Sequence, residues 1–326
     1  WNAGGDRGLY RTRDGGATWE KVLDISEDTG VTDVVMDPRD PDVLYAASYQ
    51  RRRHTWVLLN GGPEGAIYKS TDGGDSWNKL ERGLPSGDVG RIGLGIAPTN
   101  GNVVYAIIEA AGDESGFYRS TNAGVSWKKV SDYVSGSPQY YNEIYVSPHD
   151  ADVIYSNDTW FQRSEDGGKN WTRINDGTMH VDNHAVWVDP NDPNHIVAGN
   201  DGGIYESFDD TKTWSFKWNL PITQFYKIAI DDAVPFDNVY GGTQDNNTIG
   251  GPTRTMRSNG ILNDDWFITL GGDGFEPAIE PGNPDIVYSQ WQYGNLMRYD
   301  RKTGENTDIQ PQAIDMDEPL YWNWSS

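Results

Sequence analysis

Four acidic side chains of this 326-residue sequence have the type and the placement that acid–base chemistry requires. They are Asp182, Asp245, Asp273 and Glu276. Hydrolysis of a glycosidic bond needs two carboxyl groups at a defined separation, of which one is a protonated acid and the other a base or a nucleophile. We take Asp182 and Asp273 as the inner pair and place Asp245 and Glu276 behind them.

Aromatic and amide side chains accompany these carboxylates along the sequence. Trp and Tyr rings can cover the apolar face of a pyranose while carboxylates and amides bond to its hydroxyl groups. The candidate ligand-binding residues are Trp160, Trp291, Tyr293, Tyr140, Tyr141, Asp158, Gln244 and Asn246. A second interpretation stays open, in which these groups line a wet channel and Asp and Asn near turns only satisfy backbone donors.

A short alternating run offers metal-ligand chemistry. His180, Asp182 and His184 would point to one side of a strand. Two imidazoles and one carboxylate can bind a divalent metal. The competing interpretation is a hydrogen-bonded cluster, because metal sites usually recruit ligands from several elements. The sequence therefore establishes no cofactor, and a divalent metal is the candidate.

The elements that must position these residues are organised by a repeated eight-residue box, whose clearest copy is STDGGDSW at 70–77. An Asp or Asn that enters a tight turn can accept hydrogen bonds from backbone N–H groups two residues on, and the glycines after it take positive φ without a Cβ clash. We therefore interpret the boxes as structural hairpins. Their acidic or amide positions are Asp14, Asp72, Asn122, Asp166 and Asp209.

The spacing of the boxes predicts the fold. The box tryptophans lie at 19, 77, 127, 171 and 214, so the spacings are 58, 50, 44 and 43 residues. A period of roughly 40–50 residues with four short strands is typical of propeller blades. We predict an all-β protein, a single β-propeller over 1–318 with seven four-stranded blades. Six units are substantially complete, and the first is a trailing half whose inner strands 319–326 or further chain must supply. The blades cover approximately 1–25, 26–82, 83–132, 133–176, 177–219, 220–270 and 271–312, and 319–326 begins a closing strand or the next domain.

Composition excludes several classes of function. A formal charge of −23 disfavours nucleic acid and anionic membranes as partners. The absence of cysteine excludes disulfides and thiol catalysis. No segment of about 18 apolar residues is present to span a membrane. One basic segment, 51–54, stands out in this acidic chain and is interpreted as a solvated loop or an ion-pair clamp to a neighbouring domain, while Asp231-Asp232 is interpreted as a turn.

Propeller topology predicts where the chemistry lies. The first strand of each blade runs along the central channel, so its entry end and the loop between the second and third strands meet at one mouth. Polar residues crowd that end of the predicted inner strands, although a buried inner strand should be apolar. The boxes lie between third and fourth strands, at the rim of the opposite face. The candidate site is therefore at the mouth, away from the boxes.

The box pattern, Ser/Thr-x-Asp-x-Gly-x-Ser/Thr-Trp, resembles the Asp-box (BNR) repeat of sialidases, of the xyloglucanases of glycoside hydrolase family 74 and of the sortilin ectodomain. Segments such as HVDNH at 180–184, GTQDNN at 242–247 and GGDG at 271–274 make the chain similar to large bacterial sortilin-like and glycosyl-hydrolase-like BNR-repeat proteins. The resemblance implies a propeller and an extracytoplasmic location, either secreted, periplasmic or at the cell surface. It implies no settled reaction.

The chain also departs from each of these families. It lacks the arginine triad of sialidases, and without cysteine it lacks the module that follows the sortilin propeller. Family 74 places its two catalytic aspartates on two propellers, and only one propeller is visible here. We expect a piece of a longer chain, partnered by its further domains, that binds polysaccharide at the mouth and is a glycoside hydrolase if it is an enzyme. The alternative is a non-enzymatic propeller that captures proteins or peptides.

Overall fold

The computed structural model describes residues 2–54, 56–175, 177–220, 222–314 and 320–324. Within these ranges the regular structure consists of β-strands and three single turns of 3₁₀ helix. The described residues contain no helix that is long and apolar enough to cross a membrane. The chain divides into two compact units, unit 1 (Trp1–Trp218) and unit 2 (Asn219–Ser326).

Unit 1 contains five antiparallel sheets, each built from one consecutive segment of chain. The first has two strands, the second has four strands plus the side strand β5, and the other three have four. The strands are β1 (Leu9–Arg11) and β2 (Glu20–Leu23); β3 (Thr29–Asp37), β4 (Asp40–His54), β5 (Val57–Asn60), β6 (Ile67–Ser70) and β7 (Asn78–Leu80); β8 (Val89–Ile96), β9 (Val104–Ala110), β10 (Gly116–Ser120) and β11 (Lys128–Ser131); β12 (Glu143–Val146), β13 (Ile154–Asn157), β14 (Gln162–Ser164) and β15 (Thr172–Arg173); β16 (Asn183–Val188), β17 (Ile196–Asn200), β18 (Gly203–Ser207) and β19 (Ser215–Phe216).

Unit 2 contains two further sheets of four strands each. Its core includes the fully buried Tyr240 and Val287. The strands are β20 (Lys227–Ile230), β21 (Asn238–Gly242), β22 (Thr248–Pro252) and β23 (Phe267–Leu270); β24 (Ala278–Ile279), β25 (Ile286–Trp291), β26 (Asn295–Asp300) and β27 (Glu305–Asp308).

The sheets have the topology of propeller blades, because four antiparallel strands follow one another in sequence order. The all-β class and the β-propeller fold predicted from the sequence are confirmed. The described residues of the first segment form only β1 and β2, which agrees with the prediction that this segment is the trailing half of a blade. The grouping of 1–318 into one domain stays a prediction. So does the role of 319–326, of which Pro319, Ser325 and Ser326 lie outside the described residues.

The apolar residues in the second strands of the blades form much of the hydrophobic cores of unit 1. Along β9, Val104 to Ile108 are at most 1% exposed, because this strand packs between the neighbouring blades. One cluster joins the second and third sheets through Tyr45, Ile92 and Val104, and another joins the third and fourth through Tyr105 and Ile144. Blade-to-blade packing is therefore the main source of buried apolar area within this unit.

The boxes are hairpins held by a repeated set of hydrogen bonds. In the copy at 70–77, Asp72 Oδ1 accepts the N–H of Ser76 at 2.9 Å and the hydroxyl of Ser70 at 2.7 Å, while Oδ2 accepts the Ser76 hydroxyl at 2.5 Å. The Ser70 hydroxyl oxygen accepts the N–H of Gly74 at 2.8 Å. The backbone donor to the carboxylate lies four residues on, not two, which corrects the predicted pattern.

The last box keeps these bonds although it has lost its glycines. Asp209 accepts the N–H and the hydroxyl of Thr213, and Ser207 accepts the N–H of Thr211. The two glycine positions are occupied by Asp210 and Thr211, which take φ values of 57° and 67°. The bond set therefore imposes a left-handed turn on a β-branched residue, which rarely adopts one.

A row of cations links successive blades of unit 1, and sequence analysis missed it. The residue just before the box Ser or Thr reaches the next blade. Arg11 donates to Gly73 O at 2.7 Å and Lys69 to Ala123 O at 2.7 Å. The later copies pair with carboxylates, Arg119 with Asp152 at 2.6 Å and Arg163 with Asp210 at 2.9 Å. The signal was present in the sequence as a basic residue at the same offset in four boxes.

Replacing Asp72 by alanine should lower Tm by about 2–4 °C, because the box turn loses a cap-like acceptor. Hydrogen bonds from the Ser76 hydroxyl, the Ser76 N–H and the Ser70 hydroxyl lower the pKa of Asp72 to about 2. A depressed folded-state pKa contributes stability above the unfolded value of 3.8 that is lost as pH falls toward 2.

The measurement is thermal unfolding at neutral pH and near pH 2, with Thr71→Ala as the control from the same exposed turn. A Tm difference between wild type and Asp72→Ala that persists unchanged at pH 2 would contradict the ionised-acceptor role.

Candidate functional site

The predicted site residues are divided between the two units, and each group is described within its own unit. Unit 1 holds Tyr140, Tyr141, Asp158, Trp160, His180, Asp182 and His184, and unit 2 holds Gln244, Asp245, Asn246, Asp273, Glu276, Trp291 and Tyr293. The pairing of Asp182 with Asp273 as the inner carboxylates stays a prediction. The structure does bring two of the predicted carboxylates together within unit 2.

Two loops of unit 2 place Asp245 against Asp273. Asp245 lies in the connection between β21 and β22, where its φ is 61°. Its N–H donates to Asp273 Oδ1 at 3.0 Å. The loops are also joined by the N–H of Asn247, which donates to Gly272 O at 2.9 Å. Asp273 is only 6% exposed, so its position is fixed by packing as well as by these bonds.

The electrostatics of this carboxyl pair favour a shared proton. Burial, the hydrogen bond between the two carboxyl groups and the charge of Asp245 together raise the pKa of Asp273 to about 6. The hydrogen bond from the N–H of Asp245 lowers the pKa of Asp273, but the three causes that raise it outweigh this bond. A carboxyl group that keeps its proton up to about pH 6 beside a second carboxylate can act as a proton donor.

Aromatic side chains surround the pair. Trp291 packs beside Gly272, where an added Cβ would lie 3.0 Å from the indole ring. Gln292 Oε1 accepts the N–H of Asp273 at 3.2 Å. Tyr293 meets Trp324 edge to face at 5.3 Å, and both rings are about half exposed. The arrangement offers open aromatic faces next to a proton donor.

Three neighbours of the pair were not among the predicted site residues. Gln292 follows Trp291 directly, and Tyr226 bonds to Gln244 and meets Phe275 edge to face at 5.4 Å. Trp324 comes from the segment 320–324, which contacts the pair through a hydrogen bond that lowers the pKa of Asp273. Only the aromatic richness of 321–324 could have indicated this, because sequence does not show where the segment returns to the sheet.

The other predicted residues of unit 2 lie at the edge of this site. Asn246 Nδ2 donates to Gln244 O at 3.1 Å, so both belong to the loop that carries Asp245. Glu276 is exposed, and no hydrogen bond joins it to either carboxylate of the pair among the described residues. Its predicted place behind the pair stays a prediction.

In unit 1 the predicted residues form a hydrogen-bonded cluster at the start of β16. Tyr141 bonds to Asp182 and stacks on His184 at 5.3 Å. His184 Nε2 lies 3.2 Å from Asp201, whose N–H donates to Asp182 O at 3.2 Å. Burial raises the pKa of the Tyr141 hydroxyl, and the bond to Asp182 raises it further. The cluster is internally satisfied, which matches the structural interpretation of these residues.

The structure does not place His180, Asp182 and His184 on one side of a strand, as the metal-site hypothesis assumed. The three residues do not alternate along one strand, because β16 begins only at Asn183 and Asp182 has a φ of 63°. His180 Nδ1 lies 2.9 Å from Val181 O, while the other two side chains bond to Tyr141 and Asp201. Among the described residues, their ligand atoms do not come together around one point.

The remaining predicted residues of unit 1 have structural partners. Asp158 is buried and accepts the N–H groups of Thr159 at 2.7 Å and Gly136 at 3.2 Å. The guanidinium of Arg173 lies 3.3 Å from the centre of the Trp160 ring and covers one face of it. Tyr140 is exposed, with Arg53 at 5.9 Å from its ring.

Unit 1 also contains a cavity of about 500 Å³ between the first strands of three blades, β3, β8 and β12. Its charged groups are Asp33, Arg91 and Glu143, and Arg91 pairs with Glu143 at 2.6 Å. Burial raises the pKa of Asp33, although its carboxylate accepts the N–H of Leu94 at 2.8 Å. Met36 and Tyr145 add exposed apolar surface to the cavity.

Comparison with known proteins supports the fold assignment. The profile of the Sortilin-Vps10 family, described as "Sortilin, neurotensin receptor 3", matches residues 7–159, slightly less than half of the chain. Three of the five boxes lie in this segment. The resemblance to sortilin-like Asp-box propellers is thereby confirmed. The search of curated proteins found no match to the chain.

Solved structures with a similar arrangement are distant in sequence. An ancestral GH74 enzyme is 16% identical with a TM-score of 0.48, and the match covers 97% of this chain and 46% of that one. The GH74 xyloglucanase from Xanthomonas campestris is 17% identical with a TM-score of 0.43, over 87% and 46%. YCF48 bound to D1 peptide is 13% identical with a TM-score of 0.41, over 89% and 82%. The chain thus spans about half the length of these GH74 enzymes.

Proposed function

We propose that this chain is an extracytoplasmic Asp-box propeller that binds polysaccharide beside Asp245 and Asp273. Such a chain would act outside the cytoplasm as a secreted, periplasmic or surface protein. The observation that carries the proposal is the carboxyl pair of unit 2, in which the buried Asp273 meets the half-buried Asp245 beside the partly exposed rings of Trp291, Tyr293 and Trp324. Aromatic faces and acidic hydroxyl acceptors are the combination that recognises sugars.

The same pair supports hydrolysis as the activity. A glycosidase needs one carboxyl group that is protonated at the working pH and a second that is ionised. Asp273 fits the proton donor because burial and the neighbouring Asp245 raise its pKa to about 6. Asp245 is hydrogen-bonded to Asp273, which is closer than an opposing base or nucleophile would stand. Asp245 would therefore keep the proton on Asp273, and the second carboxylate would come from a further domain. Further domains of the same chain would complete the cleft that holds a long polysaccharide.

A second candidate function is peptide binding. Two observations favour it: the Sortilin-Vps10 profile matches residues 7–159, and the cavity of about 500 Å³ in unit 1 lies largely in that segment. Its walls combine apolar side chains with Arg91, which suits an extended peptide better than a sugar. In this case the chain would act in capture or surface assembly and would not be an enzyme.

Two assays distinguish the candidates. Glycan-array binding and the release of new reducing ends from a polysaccharide panel should both be positive if the first function is correct. If neither glycan binding nor release of reducing ends is detected, while a peptide library is retained tightly, the polysaccharide function is overturned in favour of peptide binding.

Replacing Trp291 by alanine should weaken polysaccharide binding about tenfold, the loss expected for one stacked aromatic ring. The fold should be retained because the ring is more than one-third exposed. Isothermal titration with the best array ligand measures the change. Trp218→Ala, which removes an equally large and more exposed ring of unit 1, is the matched control. Equal affinities of Trp291→Ala and the control would remove Trp291 from the site.

A further inference from the structure

One connection of unit 1 is much longer than a blade requires. Elsewhere in this unit the second and third strands of a blade are joined by two to five residues, as between β17 and β18. In the second blade, β4 instead runs on to His54 and pairs with β5, so that 51–54 and 57–60 form the two strands of an additional hairpin. Residues 44–47 of β4 already complete the pairing with β6. The hairpin is therefore an addition that blade closure does not explain.

The base of the hairpin is firmly held. Arg52 pairs with Asp28, and Arg7 donates to Asp28 O at 3.0 Å and to Arg51 O at 3.3 Å. Tyr49 is buried, and its hydroxyl donates to Asn60 at 3.3 Å. These contacts fix the direction in which the hairpin leaves the blade.

The outer part of the hairpin is exposed and apolar. Trp56 is 83% exposed and stacks on His54 with ring centres 5.2 Å apart. Val57, Leu58 and Leu59 follow along β5 and are also exposed. In the described part of the chain, β5 forms sheet pairs with β4 alone. An exposed apolar strand with one open edge is a template for a further strand, and proteins usually protect such edges with charged residues.

The charge of the hairpin indicates its partner. Residues 51–60 contain three arginines and one histidine but no acidic residue, in a chain of net charge −23. Arg53 is exposed and lies near β5, since it pairs with Leu58. A second copy of the hairpin would bring like charges together. An anionic membrane would be repelled by the rest of the chain.

We propose that the hairpin β4–β5 is a docking edge for an acidic, extended polypeptide segment, which adds to β5 as a further strand. Backbone hydrogen bonds would join the new strand to β5. Apolar side chains of the segment would cover Trp56 and Leu59, and its carboxylates would meet Arg53. This surface is separate from the carboxyl pair of unit 2 in residues and in chemistry.

The test uses a fluorescent ten-residue peptide of alternating Glu and Val, blocked at both ends. Binding is followed by fluorescence anisotropy, and hydrogen exchange reports on the amides of 57–60. We expect the peptide to bind and to protect those amides. Its Lys-Val counterpart and an N-methylated Glu-Val peptide should each bind at least about tenfold more weakly, since one lacks the charge and the other the backbone donors.

Variants locate the binding on the hairpin. Arg53→Glu and Trp56→Ala should each weaken binding about tenfold. The matched controls Arg254→Glu and Trp218→Ala, at exposed positions outside the hairpin, should bind as wild type does. Equal binding of the Glu and Lys peptides would overturn the proposal. So would self-association that Trp56→Ala abolishes, or attachment to phosphatidylserine vesicles that depends on Trp56.

Discussion

Replacing Asp231 by alanine is expected to lower the free energy of unfolding by about 3–5 kcal/mol, because it leaves several buried donors and the partly buried Arg301 without their acceptor. Asp231 Oδ1 accepts the N–H of Asn238 at 2.6 Å, and Oδ2 accepts the Asn238 amide at 2.7 Å and the Tyr240 hydroxyl at 2.9 Å. Arg301 approaches the same oxygen at 3.4 Å and packs over the Phe267 ring.

The effect of Asp231→Ala should depend on pH. Burial raises the pKa of Asp231, but the bonds from Asn238, Ala233 and Tyr240 outweigh burial and leave the pKa lowered. The ionised carboxylate therefore stabilises the fold above its ordinary pKa, and this contribution is lost as the pH falls through the depressed value. The difference between wild type and variant should be largest at neutral pH and should shrink below about pH 4.

Urea unfolding followed by tryptophan fluorescence measures this difference. Asp232→Ala is the matched control, since Asp232 is the exposed neighbour on the same turn, and its change should stay within about 0.5 kcal/mol. Equal destabilisation by the two variants would show that the turn itself matters and the buried network does not.

Asp231 also shows where sequence reasoning stops. The pair Asp231-Asp232 reads as a turn, and the first residue does begin one through its bond to the N–H of Ala233. Its more important partners, Tyr240 and Arg301, lie 9 and 70 residues further on. No local pattern distinguishes Asp231 from Asp232, because burial by later strands decides which carboxylate becomes an acceptor for the core.

The repeat made the fold predictable. The repeat length, the turn residues and the apolar strands recur from blade to blade. A wrong strand assignment in one blade is therefore corrected by comparison with the other blades. The box at 207–214 illustrates this, since Ser207 and Asp209 hold the turn even where Asp210 and Thr211 replace glycines. For the first segment the box predicted a third and a fourth strand, which are β1 and β2. It could not show what supplies the first two strands of that blade.

The candidate site was predictable in part. When the repeats are aligned, Asp245 and Asp273 are polar residues at the ends of strands. In the structure, the N–H of Asp245 donates to Asp273 Oδ1. The same alignment also selected Asp158 and Asp182 as candidates. In the structure, their carboxylates form hydrogen bonds within unit 1. Residue type and strand position are alike in both groups. They differ in the partners that distant loops supply.

Asp273 is the residue of unit 2 whose replacement should affect catalysis most. If the proposed hydrolysis is correct, Asp273→Asn should lower kcat/KM about 10²–10⁴-fold, the range expected for loss of a general acid. The fold should be kept, because asparagine retains the Oδ1 acceptor that receives the N–H of Asp245. Asp264→Asn, an exposed acid-to-amide change in the same unit, is the matched control and should leave kcat/KM unchanged.

The variant Asp245→Asn tests the coupling between the two carboxyl groups. Burial raises the pKa of Asp273 to about 6, and the bond and charge of Asp245 contribute to the rise. A general acid must be protonated, so wild-type kcat/KM should decline above about pH 6. Without the charge of Asp245 the pKa of Asp273 moves down toward its ordinary value, and residual activity should decline from a lower pH. An unchanged alkaline limb in Asp245→Asn would show that Asp245 does not set the proton affinity of Asp273, and full activity of Asp273→Asn would remove it as the acid.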